Sequence, residues 1–232
     1  MSVIFKTKTC TLKKNSNKFT LNYENGEKFP NFFEKLKKNL KITKEKKGKS
    51  FTFEGVTVES LSHLLSRKGT LSYRHLKHLF LDIGKQLEGL EKDNFGHLFF
   101  KLEDIVRVEL DKTSQEGSTG KDITFLYLNT EKFLPLNDKF LTITRPFDKS
   151  KLFFSPEMKN INHFPVNIPL SSQYYSLSLL VSYCLKKDGK KIKVLNLDNF
   201  RQYLSTIEHT KLYWALLRCL QLDPDDRVYL FI

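Results

Sequence analysis

The feature that most constrains this 232-residue chain is a helical run with no polar face. Between residues 172 and about 186, Tyr174, Tyr175, Leu177, Leu179, Leu180, Val181, Tyr183 and Leu185 go nearly all round the helical period. A helix that is apolar on every side cannot rest on one neighbour; it has to be surrounded. The fold must therefore be a globule built around this segment. Hydrophobic residues make up 40% of the chain, 20 of them Phe, which is enough to bury a core of that kind.

The rest of the chain supplies the surroundings. Residues 3–12 and 18–23 alternate as short strands do, with a hairpin-type turn expected at Glu24, Asn25 and Gly26. Residues 29–40 read as an amphipathic helix with Phe32, Phe33, Leu36 and Leu40 on one face. Residues 44–49 read as a solvated charged loop and 50–58 as a strand. A short helix over 60–69 precedes a longer one capped by Ser72, in which Leu76, Leu79, Phe80, Ile83, Leu87 and Leu90 recur at helical spacing. Residues 111–121 form a polar loop tip, 123–128 a buried strand, and 141–144 another strand. Helices over 197–207 and 210–222 follow the central one. The class is α+β, with a strand-rich front over residues 1–55 and a mostly helical body over 56–232.

Charge is concentrated at the front. Of the formal net +13, residues 1–50 carry +10, from 14 Lys against 4 Glu. Lys35, Lys37, Lys38, Lys41, Lys44, Lys46, Lys47 and Lys49 form the densest part, a candidate surface for nucleic acid or another polyanion. The competing reading is compositional: Lys, Asn and Phe are all favoured by AT-rich coding sequence. Nearby Phe29, Phe32 and Phe33 have the chemistry to stack on bases, but their helical spacing favours core packing. A second basic run, residues 186–193, follows the central helix and reads as a solvated loop or a docking surface.

Three cysteines, Cys10, Cys184 and Cys219, fit no metal spacing, and the last two sit in apolar helical runs as core thiols. His75 and His78 are three apart on a helix and read as surface residues rather than ligands. No apolar run reaches the ~18 residues of a membrane span, and the first residues lack a signal-peptide core, so an intracellular protein is expected.

Several segments, taken in order, resemble the protein kinase family. Ser155, Pro156 and Glu157 are similar to its Ala-Pro-Glu element, and the run from Ser172 to its central D-x-Y-S-L-G helix. Asp223, Pro224 and Arg227 match its D-P-x-x-R, and residues 60–90 look like the two helices after the hinge. The resemblance covers roughly residues 52–232 and implies that Glu157 and Arg227 form a buried ion pair. Residues 57–71 also resemble the start of the related kinase non-catalytic C-lobe domains, which bind partner peptides.

The positions that carry catalysis in that family depart from its pattern. Phosphoryl transfer needs a carboxylate to orient the attacking hydroxyl, metal ligands and a Lys on the phosphates. Against H-R-D-L-K-P-E-N, His97, Lys101 and Glu103 match, but Leu98 and Phe99 stand at the Arg and Asp positions, and Asp104 at that of the metal-binding Asn. Asn129 stands for the Asp of D-F-G, whose Phe and Gly are missing. Gln173 replaces the central-helix Asp that holds the catalytic loop, and Ser178 its Gly; loss of that Asp implies a loop with relaxed geometry. No G-x-G-x-x-G or V-A-I-K strand precedes the hinge, and Glu34 lacks a matching Lys. The resemblance implies a pseudokinase with an eroded front, not an enzyme, that needs no cofactor or metal and binds a protein partner; the alternative is a nucleic-acid-binding or assembly protein using the basic front. Among nearby acids, Glu103, Asp104 and Asp122 lack a recognisable nucleotide-binding partner.

Overall fold

The computed structural model describes residues 2–38, 40–46, 49–110, 122–148, 153–185 and 197–232. The front is a five-stranded antiparallel sheet of β1 (Ser2–Lys6), β2 (Cys10–Asn15), β3 (Lys18–Tyr23), β4 (Ile42–Lys46) and β5 (Ser50–Glu54), in the order β1-β2-β3-β5-β4. Between β3 and β4 the chain crosses the sheet as α1 (Pro30–Lys37). The period-2 pattern sets the faces: Leu12, Phe19, Leu21, Tyr23, Phe51 and Phe53 point inward and are buried.

Next come β6 (Thr57–Ser60), α2 (Leu61–Lys68), α3 (Tyr73–Lys92), β7 (Phe95–His97), β8 (Ile105–Leu110) and β9 (Asp122–Tyr127). They are followed by β10 (Phe133–Asn137), β11 (Phe140–Ile143), α4 (Pro156–Lys159) and β12 (Val166–Pro169). The last elements are α5 (Ser172–Tyr183), α6 (Leu197–Tyr203) and α7 (Lys211–Cys219). β6, β8 and β9 form one small sheet, and β12, β11, β10 and β7 another. The class is α+β, as the element pattern implies. No helix among the described residues is long and apolar enough to cross a membrane.

α5 occupies the centre. Ten of its residues are buried, including Gln173 and the serines Ser172, Ser176, Ser178 and Ser182. α3 packs along it, and so does α7. Serine hydroxyls start the helices: the Ser60 Oγ accepts from the His63 N–H at 3.2 Å, and the Thr210 Oγ1 from the Tyr213 N–H at 3.1 Å. Among the described residues no strand lies beside the outer edge of β9, and α3 supplies its hydrogen bonds instead. Asp82 Oδ2 accepts from the Phe125 N–H (3.0 Å), Gln86 Nε2 donates to the Phe125 carbonyl (2.8 Å), and Gln86 Oε1 accepts from the Tyr127 N–H (2.9 Å).

Three local expectations change. Asn25 and Gly26 do not make a hairpin; Gly26–Lys28 is a 3-10 turn that feeds α1, and the β2–β3 reversal falls at Ser16, which carries φ 56°. The first half of the charged stretch at 44–49 is not loop but the end of β4, an edge strand paired to β5. Its side chains are solvated, as the composition suggested, while its backbone pairs with β5 on one side; lysines on an edge strand also discourage pairing with a second chain. Finally, α5, α6 and α7 end at Tyr183, Tyr203 and Cys219, short of the expected limits, and the basic run at 186–193 and the loop at 111–121 lie outside the described residues.

Candidate functional site

The segment read as a catalytic loop runs from the end of β7 to the start of β8, and the next strand, β9, leads to Asn129. His97 is wholly buried. Its Nδ1–H donates to the Lys132 carbonyl (3.3 Å), which fixes the proton on Nδ1, because a carbonyl can only accept. Its ring packs against Phe100 (4.6 Å), Tyr127 (4.5 Å) and Phe133 (5.9 Å). Burial lowers its pKa to about 3, so the imidazole is neutral.

The expectation of a relaxed loop is corrected here. Gln173, on the central helix, accepts from the His97 backbone N–H through Oε1 (3.2 Å), and its Nε2 donates to Glu91 (2.5 Å). An amide oxygen accepts that bond as a carboxylate oxygen does, so Gln173, which the resemblance sets at an Asp position, anchors the segment at His97.

Phe99, at the position where the resemblance has a base, offers only a ring. That ring lies edge-on to Phe147 (5.2 Å) and Phe154 (6.1 Å) and joins an apolar cluster with Leu98, Leu141 and Met158. Asp104 and Asn129 meet: Asn129 Nδ2 donates to Asp104 Oδ1 at 3.1 Å, and both residues are buried. Burial raises the Asp104 pKa, against the pull of Asn129 and Lys101. Glu103 is exposed, and Asp122 lies at the start of β9, away from this pair in sequence and strand position.

Beside α1 the seam between the front sheet and the helical body is filled with side chains, whereas near Val56 a cleft of about 540 Å³ opens between Ser16, Asn17, Lys41 and Glu54 of the front and Val56 and Leu110 of the body. Phe133 takes Phe29 and Phe32 from the α1 side at 5.0 Å each and Tyr127 from β9 at 6.0 Å. One apolar core runs without interruption from Leu12 and Phe19 through these rings to Leu212. Two further contacts lock the seam. The β1–β2 turn reaches the segment after Asn129, where the Lys8 N–H donates to Glu131 Oε1 (2.6 Å) and the Thr9 and Thr130 hydroxyls lie 2.8 Å apart. On the other side, Asp93 caps α1 from the end of α3, accepting from the Asn31 N–H (3.0 Å) and the Phe32 N–H (2.9 Å). α1 lies so close to α3 that a Cβ on Gly89 would sit 2.7 Å from the Asn31 carbonyl oxygen.

Glu157 and Arg227 are paired, Nη1 to Oε1 at 2.5 Å and Nη2 to Oε2 at 3.0 Å. The Ser172 hydroxyl donates to the same Oε1, and the guanidinium lies over the Tyr175 ring at 4.7 Å. Asp223 caps the turn at 224–226 by accepting from the Asp225 N–H (2.9 Å), and the Pro224 carbonyl accepts from Ser171 (3.0 Å).

The candidate anion-binding lysines divide. Lys35 is paired with Glu88 (2.9 Å), and Lys37 with Glu34 (2.6 Å) and Glu45 (2.7 Å), so both are neutralised within the fold. Lys38, Lys41, Lys44, Lys46 and Lys49 are exposed, while Lys47 lies outside the described residues. Across the outer face of the sheet, Lys46, Ser50, Asn22, Thr11 and Lys6 form one row, and Lys44, Thr52, Thr20, Lys13 and Val3 the next. Sequence reasoning passed over Lys6 and Lys13 because they fall outside the dense run; strand pairing brings them beside Lys46 and Lys44. It set Tyr127 in a buried strand without a place at the seam, and it passed over Phe133, whose only signal was the high Phe count.

All three cysteines are free and buried. His75 is half-buried and contacts Arg107 (3.2 Å) rather than His78, and no group of three or more His, Cys, Asp or Glu is set to hold a metal among the described residues. No family model matches the chain, and no curated protein matches it.

Proposed function

We propose that this chain is a protein kinase-like module without catalytic activity, which acts by binding a protein partner. The observation that carries this reading is the packing of the seam beside the loop: Phe133, Tyr127, Phe29 and Phe32 fill it next to α1, and the Lys8–Glu131 and Thr9–Thr130 contacts tie the sheet to the segment after Asn129. Phe99 adds a second support, since a ring in an aromatic cluster takes no proton from an alcohol. The kinase-like arrangement is supported by the Glu157–Arg227 pair, by the Gln173 anchor on the loop and by the buried α5.

The test is transfer of labelled phosphate from Mg²⁺-ATP to a generic protein acceptor. The wild type and the Phe99→Asp/Asn129→Asp double variant should both give none, because two new carboxylates leave the rings of Phe29, Phe32, Tyr127 and Phe133 packed beside the loop. Turnover by the wild type would overturn the reading.

A second reading, polyanion binding by the front, is favoured by one observation. The two rows on the outer sheet face bring together Lys6, Lys13, Lys44 and Lys46, with no carboxylate in either row. Affinity for DNA or RNA falling steeply with salt, and lost in a Lys13→Glu/Lys44→Glu variant, would support it; binding indifferent to salt would dismiss it.

A further inference from the structure

Trp214 is the chain's only tryptophan, and it is 57% exposed. α7 buries Leu212, Tyr213, Ala215, Leu216, Leu217 and Cys219 against the body. That leaves Lys211, Trp214 and Arg218 exposed, at spacings of three and four that place them along one outward stripe. The stripe thus reads cation, indole, cation, and neither cation has an ion-pair partner among the described residues. Beside it opens a groove of about 330 Å³ lined by Arg201, Trp214, Leu217, Arg218, Gln221 and Asp226. The lining thus combines the apolar Trp214 and Leu217 with two guanidinium groups and one carboxylate.

Tryptophan and arginine are the residue types on which protein–protein binding energy concentrates, and an indole between two cations offers an apolar anchor with a fixed charge preference. We propose that this groove docks an acidic segment of a partner protein, with a Leu or Phe side chain against Trp214 and flanking carboxylates on Arg218 and Lys211. The proposal rests on the protein-binding reading above and names the chemistry of the partner. Asp226 argues against a phosphate backbone as occupant, since a continuous run of phosphates would meet it, whereas a peptide can turn a backbone N–H or a hydroxyl toward it. The groove also lies on the helical body, on residues separate from the lysine rows of the front sheet.

A sole tryptophan makes the test direct, because the emission of the intact protein reports this groove. Synthetic peptides carrying Leu or Phe with Asp or Glu on either side are titrated in, with charge-reversed Lys peptides and an oligo-dT strand as comparisons. The acidic peptides should shift Trp214 emission to the blue and saturate. By anisotropy of a labelled peptide, Arg218→Glu should weaken binding about tenfold or more, as should Trp214→Ala, with melting temperatures near that of the wild type. No saturable response from any acidic peptide, an equal response to the Lys peptides or to oligo-dT, or undiminished binding by Arg218→Glu would overturn the proposal. Phosphate transfer is measured on the same sample. Transfer together with acidic-peptide binding would sink the inactive-module reading and leave the groove standing. No transfer and no peptide response would do the reverse.

Discussion

Arg227 makes four hydrogen bonds, two to Glu157 and one each to the carbonyls of Gln221 (2.8 Å) and Leu222 (2.9 Å). With its side chain 1% exposed, it ties the last turn of the chain to α4 and α5. Arg227→Ala strands Glu157 and should cost roughly 3–5 kcal/mol in denaturant unfolding; an unchanged midpoint would show that the pair holds nothing. Burial opposes ionisation of Glu157, but Arg227 and the Ser172 hydroxyl outweigh it and hold the carboxyl below the usual range. A depressed carboxyl stabilises above its unfolded pKa of 4.5, and that contribution is lost as pH falls through the lower folded value. His97, lowered to about 3 by burial, acts in the same direction: its contribution is complete above 6.5 and is lost as pH falls toward 3. Asp82 has the opposite sign. Burial raises it to about 6 despite the Phe125 N–H and Thr124, so its contribution is present below 3.8 and lost as pH rises through 6. Melting against pH should therefore fall less steeply between pH 6.5 and 4 in His97→Asn than in the wild type. Asp82→Asn should gain more at pH 8 than at pH 5. A parallel pH profile for either variant would refute its assignment.

At the scale of elements, the reach of the sequence differs by kind of interaction. The burial of α5, the Ser72 and Thr210 caps and the inward faces of β2, β3 and β5 were legible because each follows from spacing within one segment. β4 was not, because an edge strand with four exposed side chains lacks the alternation that marks a half-buried one. β8 escaped for the reverse reason: four of its six residues are buried on both faces, leaving little period to see. Gln86 was read only as part of a helix, yet it replaces a neighbouring strand for β9. Gln86→Leu keeps the volume and strands the Phe125 carbonyl and the Tyr127 N–H, so a loss of about 2–6 kcal/mol is expected, at roughly 1–3 kcal/mol for each buried group left unpaired. Loss of amide-exchange protection at Tyr127 would locate it; a stable variant with β9 still protected would contradict the clamp.

For the whole molecule, the front sheet and the helical body share one core. The resemblance brought out what the loop lacks, namely an acid at Phe99 and a D-F-G carboxylate at Asn129, from single positions. What fills the seam depends on residues about a hundred positions apart, Phe29 and Phe32 against Phe133 and Lys8 against Glu131, and no local pattern encodes such a meeting. Asp93→Ala uncaps α1 at that junction and should cost about 0.5–2 kcal/mol, read by urea unfolding as a single transition. Two separate transitions would mean that the sheet and the body do not share a core.

The most direct test of the central claim is the melting temperature of the intact chain with and without millimolar Mg²⁺-ATP. A ligand at 100 times its Kd would add about 2.7 kcal/mol through linkage. With Tyr127, Phe133, Phe29 and Phe32 occupying the seam, the two curves should superimpose. A saturable upward shift with Mg²⁺-ATP, beyond that given by Mg²⁺ alone, would mean that a nucleotide enters between sheet and body, and the account would fail.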